Sequence, residues 1–331
     1  MIDVSIIIVN LNTRDLLSEC LKSVYATRHN LQTEVLLIDN GSSDGSVEMV
    51  RRDFPDVLVT VNAKNEGFAR PNNVGMRRAN GRYVLLLNSD TVVEPDSIRT
   101  LVSFLDGHPR TGACGPKLVY PGGRLQHSVK GFPTIMTHVF DMFLLDKLFP
   151  RSHLFGRGEM KYFSYELTGE VDHLMAAVFL VRRDVLSSCG LLDERFSIYY
   201  NDMDWCFRIK RKGWQIHYVH TASVVHHLGQ TTAKVNRRFE YFEELHNNVM
   251  LFYQKHYGRW SVVVYKLLLA AGFAIRSVGW TVVRFVIPGE YSRMMCAFSW
   301  KTLWLGLRFW TPLPYAMDPS ASNDRLSREI E

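Results

Sequence analysis

The chain has 331 residues, 47% of them hydrophobic, and a formal net charge of +6. That length suits one large α/β domain with an appendage, or two domains. Seven cations and only one acid, Glu290, lie between Arg259 and Arg308, so this stretch carries the whole +6 and argues against the basic folded face of a nucleic-acid binder.

Five widely spaced cysteines (Cys20, Cys114, Cys189, Cys206 and Cys296) form no CxxC pair. They argue against a zinc site or a disulfide framework and favour a reducing compartment. Val4 to Val9 is apolar but too short for a signal-peptide core, and no basic segment precedes it.

In chain order, Val4–Val9 is expected as a strand, followed by a helix from about Thr13 to Ala26. Glu34–Ile38 is the next strand, then a polar turn and a helix over Ser46–Asp53. Val57–Val61, a helix near Asn72–Ala79 and the run Tyr83–Leu87 continue the alternation; that last run reads as a buried strand, although its length also fits a helix segment. Pro95 opens a helix running to about Asp106. Such alternation with right-handed crossovers predicts a doubly wound sheet with its ligand site at the strand carboxyl ends. Beyond it, Leu118–Tyr120 and Arg124–Val129 flank Pro121-Gly122-Gly123 as a hairpin. Residues 131–165 lack a clear period and read as an insertion. Val171–Arg182 is strand-like, Asp202–Lys212 helical, Gln215–Val219 a strand, and Phe239–Tyr257 a helix before an apolar, basic tail.

Polar clusters fall at the ends of these elements. Asn88-Ser89-Asp90 follows the Tyr83–Leu87 run; Asp90 either caps a turn or holds a divalent cation against a diphosphate, since hard cations share oxygen ligands with phosphates. Asp39, in Asp39-Asn40-Gly41-Ser42-Ser43-Asp44, either belongs to a hydrophilic loop or accepts from a base N–H or a ribose hydroxyl. The amide-rich loop Asn65–Gly75 can line a sugar nucleotide, with Arg70 reaching a phosphate. Asp202 follows the aromatic run Phe196 to Tyr200 and is either a helix cap or a general base. His226 is expected in a loop before Gly229 and a Thr pair, as a surface residue or a ligand.

Taken in order, Val4–Asn12, Ile38–Gly45, Asn65–Ala69, Asn88–Asp90 and Asn201–Asp204, followed by Arg208 and Gly213-Trp214, resemble the family 2 glycosyltransferases of GT-A fold over about residues 3 to 257. The nearest likeness is to the rhamnosyltransferase-like branch. The resemblance implies a nucleotide-sugar site of Asn10, Asn12, Asp39, Asn65, Gly67, Arg70, Asn73 and Ser89. It implies a divalent cation, Mg²⁺ or Mn²⁺, on Asp90 and His226, with Asp202 as general base and Asp204 and Trp205 on the acceptor side. Two departures stand out: Asn88 replaces a carboxylate of the family's DXD motif, and Asn201 replaces the usual Glu before the base. Ala176 also stands where many relatives have glycine.

The chain is expected to divide into the catalytic domain that the resemblance implies over 1–257, split near 115 into nucleotide-sugar and acceptor halves, and, from its apolar and basic pattern, amphipathic helices over 258–315 and a polar tail over 316–331. At 100° per residue Lys266, Arg276 and Arg284 share a narrow helical face, and Arg293, Lys301 and Arg308 another, with Trp280, Trp300, Trp304 and Trp310 nearby. Such helices suit the headgroup region of a membrane; a transmembrane span and a pair of core helices are the alternatives. The expected activity is inverting transfer of a sugar, with dTDP-rhamnose as candidate donor, to a polyprenyl-diphosphate-linked saccharide at the cytoplasmic membrane face. The competing readings are a nucleotidyltransferase and a non-catalytic sugar-nucleotide-binding protein.

Overall fold

The computed structural model describes residues 1–27, 31–196, 200–227 and 238–307. Phe196 and Tyr200 are described, but the residues between them are not, and neither are Gly229 with its Thr pair, Arg308, Trp310 or the tail from residue 311. Two compact units result, one built on residues 1–130 and 164–227, the other on Gly131–Phe163 and the C-terminal helices.

The first unit is α/β. Strands β1 (Val4–Asn10), β2 (Thr33–Asp39), β3 (Leu58–Val61) and β4 (Tyr83–Asn88) lie parallel in the order β3-β2-β1-β4. Helices α1 (Arg14–Thr27), α2 (Ser46–Asp53) and α3 (Ala69–Arg78) connect them. β1 and β4 are near-continuous apolar runs because both faces of the sheet are covered. Gly75 lets α3 close on β1, since a Cβ there would meet Ile7 Cγ2 at 2.5 Å. The sheet then becomes mixed. β11 (Val178–Arg182) runs antiparallel to both β4 and β6 (Thr111–Val119), and β12 (Gln215–His226) runs parallel to β6. The edge strand β5 (Thr91–Val93) pairs antiparallel with β12. α4 (Ser97–Gly107) covers one face, and its Leu101, Val102 and Leu105 join Leu17, Leu21 and Ile8 in the main core.

Four elements differ from the expected ones, the first being the run Val171–Arg182, which divides into a two-residue strand, His173–Leu174, and β11. The helix after Pro95 starts at Ser97, because Asp96 sits in the left-handed region at φ 61°. β6 begins at Thr111, well before Leu118; Gly112, Gly115 and Pro116 mask its strand character. β12 continues past Val219 through a register shift before Ser223, a β-bulge that breaks the period-2 pattern. His226 therefore ends a strand instead of lying in a loop.

The second unit is helical. Residues 131–163, aperiodic in sequence, contain α5 (Ile135–Met142), whose start is fixed by a Thr134–Thr137 capping box, and the single turn α6 (Leu145–Leu148). With them are α9 (Arg238–Tyr257), α10 (Arg259–Val286) and α11 (Glu290–Leu307). Met142, Leu269 and Phe273 form their apolar centre. The cationic face expected on α10 is turned inward over most of its length. Lys266 is buried, and Arg276 lies over the Phe273 ring and donates to the carbonyls of Asp141 and Met142, at the carboxyl end of α5 where a cation is favoured. The outward face is apolar: Val264, Leu267, Ile275, Val278, Val282 and Phe285 are exposed and fall within an arc of about 80° at 100° per residue. α10 is the one described helix long and apolar enough to cross a membrane, though nearly half of its most apolar window is buried.

This unit also buries two histidines against tyrosine. His138 packs edge-on to Tyr253 and Tyr265, and His246 Nδ1 is hydrogen-bonded to the Tyr265 hydroxyl. Burial lowers His138 to about 4 and His246 to about 3, so both fold as neutral rings. The unfolded chain then binds more protons than the folded one at any pH below about 6.5 and above these values. Stability of the helical unit should be full above pH 6.5 and fall on acidification, by about 1.4 kcal/mol per histidine for each pH unit. Thermal melts at pH 7.5 and pH 5 check this; a His138→Phe variant that loses as much stability on acidification as the parent contradicts it.

Candidate active site

The carboxyl ends of β1, β2 and β4 meet in one hydrogen-bonded chain. Asn10 Nδ2 donates to Asp39 Oδ2 at 2.9 Å and to Ser42 Oγ at 3.0 Å. Asn10 Oδ1 accepts from Thr13 Oγ1 at 2.6 Å, and Thr13 Oγ1 lies 2.9 Å from Ser89 Oγ. The Thr13 proton is committed to Asn10, so Ser89 is the donor in that last contact. Asp39 is fully buried: Oδ1 accepts the N–H groups of Gly41 and Ser42, and Oδ2 accepts Asn10 and the Ser42 hydroxyl. It therefore shapes the loop from within, with no oxygen left open to a base or ribose.

Asn12, at φ 51°, joins the same loop by accepting from Ser43 N at 2.9 Å. Asn65 Oδ1 accepts from Gly67 N at 2.9 Å, and Gly67, at φ 79°, offers its carbonyl to Asn40 Nδ2 at 2.8 Å. Glycine supplies this left-handed turn without steric cost. Arg70 is exposed and pairs with Glu66 at 3.4 Å. Asn73 is buried and clasps Leu192 N, Leu192 O and Glu194 with its amide.

Pairing of β5 with β12 sets Thr91 opposite His226 and so brings Asp90 to His226. Asp90 Oδ1 stands 3.4 Å from His226 Nε2, with both side chains at most one-tenth exposed. That separation exceeds the roughly 2.7–2.9 Å of a charge-assisted hydrogen bond. It suits two ligands of one cation, and a carboxylate oxygen with an imidazole nitrogen is a donor set that Mn²⁺ accepts. No group of three or more His, Cys, Asp or Glu side chains with metal-holding geometry occurs among the described residues. His226 Nδ1 is 2.8 Å from Gln126 Oε1; Gln126 lies on the two-residue strand β7 (Leu125–Gln126), paired with β6.

Asp202 lies beside the same strand ends. Its Oδ2 accepts from Ala176 N at 3.1 Å, while the neighbouring Ala177 carbonyl accepts from Asn88 N at 2.9 Å. Asp202 and the Asn88-Ser89-Asp90 turn thus flank the junction of β4 and β11. Asp202 Oδ1 takes the N–H of Met203, at the start of α8 (Asn201–Arg211). His173, on β10 (His173–Leu174), is buried with Nε2 3.4 Å from Asp202 Oδ2. Burial pushes the Asp202 carboxyl up, but the His173 charge and the N–H donors of Ala176 and Met203 outweigh it and hold the group below the usual carboxylate range.

Asp204 and Trp205, expected on the acceptor side, are in the core instead. Both are fully buried: Asp204 pairs with Arg208 at 2.8 Å, and Trp205 Nε1 donates to Gly190 O at 2.8 Å. Their position four and three residues before Arg208 turns them onto the packed face of α8. Gln126 and His173 have no counterpart in the sequence reading. They sit on two-residue strands in polar surroundings, and only the long-range pairing brings them to the site. Arg208 carried a usable signal in its i,i+4 spacing from Asp204.

A parallel nucleotide-binding half, a mixed extension and carboxylates at the strand ends define a GT-A glycosyltransferase. The Glycosyl transferase family 2 model matches residues 5–189, more than half of the chain, and the chain belongs to that family. Among curated relatives, the chain is 26% identical over 257 residues to an N-acetylglucosaminyl-diphospho-decaprenol L-rhamnosyltransferase of Mycobacterium tuberculosis, covering 73% of this chain and 81% of that one. It is 30% identical to the O-antigen biosynthesis protein RfbC of Myxococcus xanthus over 68% of this chain but only 17% of that protein. A mannosyltransferase from Pyrobaculum calidifontis, solved with GDP-Man and Mn²⁺, shares the fold at TM-score 0.51 and 14% identity, over 92% of this chain and 85% of its own. The nucleotidyltransferase and non-catalytic alternatives fall away.

Proposed function

We propose that this enzyme is an inverting glycosyltransferase that moves rhamnose from dTDP-rhamnose to a polyprenyl-diphosphate-linked saccharide during surface-polysaccharide assembly. The observation that carries the reading is the placement of an ionised Asp202 and the Asp90–His226 pair on either side of the β4–β11 junction. The kinship with a decaprenol-linked rhamnosyltransferase supports the choice of sugar and acceptor.

In this reading Asp202 removes the proton of the acceptor hydroxyl. The oxygen attacks the anomeric carbon, the bond to the nucleoside diphosphate breaks, and a single displacement inverts the configuration. Asp90 and His226 would hold Mg²⁺ or Mn²⁺, which supplies neutralisation of the charge developing on the leaving diphosphate. Asn10, Asp39 and Ser89 act on the donor through the loop they brace; Asn12, Asn65, Gly67 and Arg70 form its rim. Asn73 holds the 190–194 segment in place.

The outward apolar stripe of α10, about 32 Å long from Val264 to Phe285 at 1.5 Å per residue, would dock the enzyme peripherally on the cytoplasmic face of the membrane, where such acceptors reside. Exposed Arg284, Arg293 and Lys301 complement anionic headgroups. Incubating the full chain with vesicles that carry polyprenyl-diphosphate-N-acetylglucosamine, a panel of nucleotide sugars and Mg²⁺ or Mn²⁺ tests the reading. Transfer from dTDP-rhamnose is expected; transfer only from another donor overturns the sugar, and no turnover from any donor overturns the function. Co-sedimentation tests docking separately. Burial of a valine or phenylalanine contributes about 1.5–3 kcal/mol, so Val278→Glu with Phe285→Glu should weaken vesicle partition at least about tenfold.

A further inference from the structure

The Asp90–His226 pair has a third member that decides what it can do. Gln126 is buried at 2% exposure, and its Oε1 stands 2.8 Å from His226 Nδ1. In this orientation of the amide, whose Nε2 is buried with no hydrogen-bond partner among the described residues, the oxygen accepts and Nδ1 is the donor. In the neutral form, the one that can ligate a cation, that is the ring's single proton and Nε2 keeps its lone pair. That bare nitrogen is the atom facing Asp90 Oδ1 at 3.4 Å.

We infer that Gln126 is a positioning residue that locks His226 in the Nδ1–H tautomer and thereby turns Nε2 and Asp90 into a two-donor seat for a divalent cation. The inference rests on the metal reading above and adds the residue that makes it possible. The fold supports it in two ways. The His226 backbone is fixed by its pairing with Thr91, and its side chain is buried. Gln126 is fixed by the pairing of β7 with Leu118 of β6, which places its side chain beside the end of β12. Ligating histidines elsewhere are oriented by such a partner on the second nitrogen, and its loss typically lowers metal affinity 10–100-fold.

The seat also answers the missing carboxylate at position 88. A lone Asp90 would hold a cation weakly, whereas an imidazole held at the correct tautomer supplies a second donor from the far side of the sheet. Gln126 thus stabilises through His226 what Asn88 does not provide directly.

The test begins without metal. Two-bond ¹H–¹⁵N correlation spectra of the ¹⁵N-histidine-labelled full chain at pH 7.5 report the tautomer, with His226 assigned through His226→Ala. The expected result is a protonated Nδ1 and an unprotonated Nε2 in the parent, with that preference lost in Gln126→Leu, which keeps the volume and apolar packing. A protonated Nε2 in the parent, or an unchanged tautomer in Gln126→Leu, overturns the inference. Mn²⁺ binding is then read by electron paramagnetic resonance of free Mn²⁺ in the presence of dTDP. Gln126→Leu should bind Mn²⁺ 10–100-fold more weakly. Gln126→Glu, whose carboxylate still accepts from Nδ1, should bind at least as well as the parent. Equal binding by Gln126→Leu and the parent overturns the inference alone. No Mn²⁺ binding by the parent, with the expected tautomer present, overturns the metal reading and the seat with it.

Discussion

Asp202→Asn should lower glycosyl transfer by about 10²–10⁴-fold while leaving nucleotide-sugar binding nearly unchanged. Asparagine keeps the size of the side chain and can still accept the N–H of Met203, so α8 begins as before. It cannot take a proton from a hydroxyl. In the proposed site the donor is held by the β1–β2–β4 network and its loops, and the hydrogen bonds of Asn10, Thr13 and Ser89 in that network do not involve Asp202. His173→Phe provides the companion result. Removing the histidine leaves burial to push the Asp202 carboxyl upward, so the acid limb of kcat/KM should move to higher pH. The sign also holds for folding: a carboxyl held below its unfolded value stabilises the protein above about pH 4, and that contribution disappears as pH falls through the lowered value. Full turnover in Asp202→Asn, or an acid limb that does not shift in His173→Phe, would remove Asp202 from the chemistry. Donor titration by calorimetry beside the rate measurement separates loss of the base from loss of the site.

The parallel half was legible because β1, β2 and β4 are buried apolar runs ending in polar turns, a pattern local to the sequence. Asp39, Asp90 and Asp202 were found because each ends or begins an element. Their partners were not legible. Whether Asp39 faces a ligand or its own loop depends on Asn10 and Ser42 closing around it, and Asn10 lies 29 residues away. His226 was misplaced because the bulge before Ser223 interrupts the alternation that marks a strand. The tail shows the same limit in a different form. Helical spacing correctly put Lys266 and Arg276 on one face, but spacing does not say which face is buried. Arg276 turns inward because the carbonyl end of α5 offers it two acceptors, and that segment lies more than a hundred residues earlier. Asp204 and Trp205 were expected on the acceptor side from the family resemblance alone, which does not say which face of the helix is buried.

Asp204→Ala should be among the most destabilising single changes in the α/β unit, costing about 3–5 kcal/mol. Asp204 is fully buried and is the carboxylate partner of Arg208, whose side chain is only 19% exposed. Truncating the acid leaves a mostly buried cation held by two carbonyl dipoles. Those dipoles belong to Cys189 and Leu191, and the neighbouring Gly190 carbonyl is held by Trp205, so Arg208 and Trp205 together fasten the 189–191 segment to α8. Asn73 fastens the next residues from α3. That segment leads toward the start of α8 and Asp202, and its loosening should lower activity as well as melting temperature. For a unit of this size the loss corresponds to a fall in Tm on the order of 10 °C. The double change Asp204→Leu with Arg208→Met removes both charges at similar volume, and it should recover much of the loss because a buried pair gains little over apolar packing. A double-mutant cycle by urea unfolding measures the coupling directly. If Asp204→Ala shifts the midpoint no more than a surface substitution does, the pair is solvated and the clamp on the 189–191 segment has another origin.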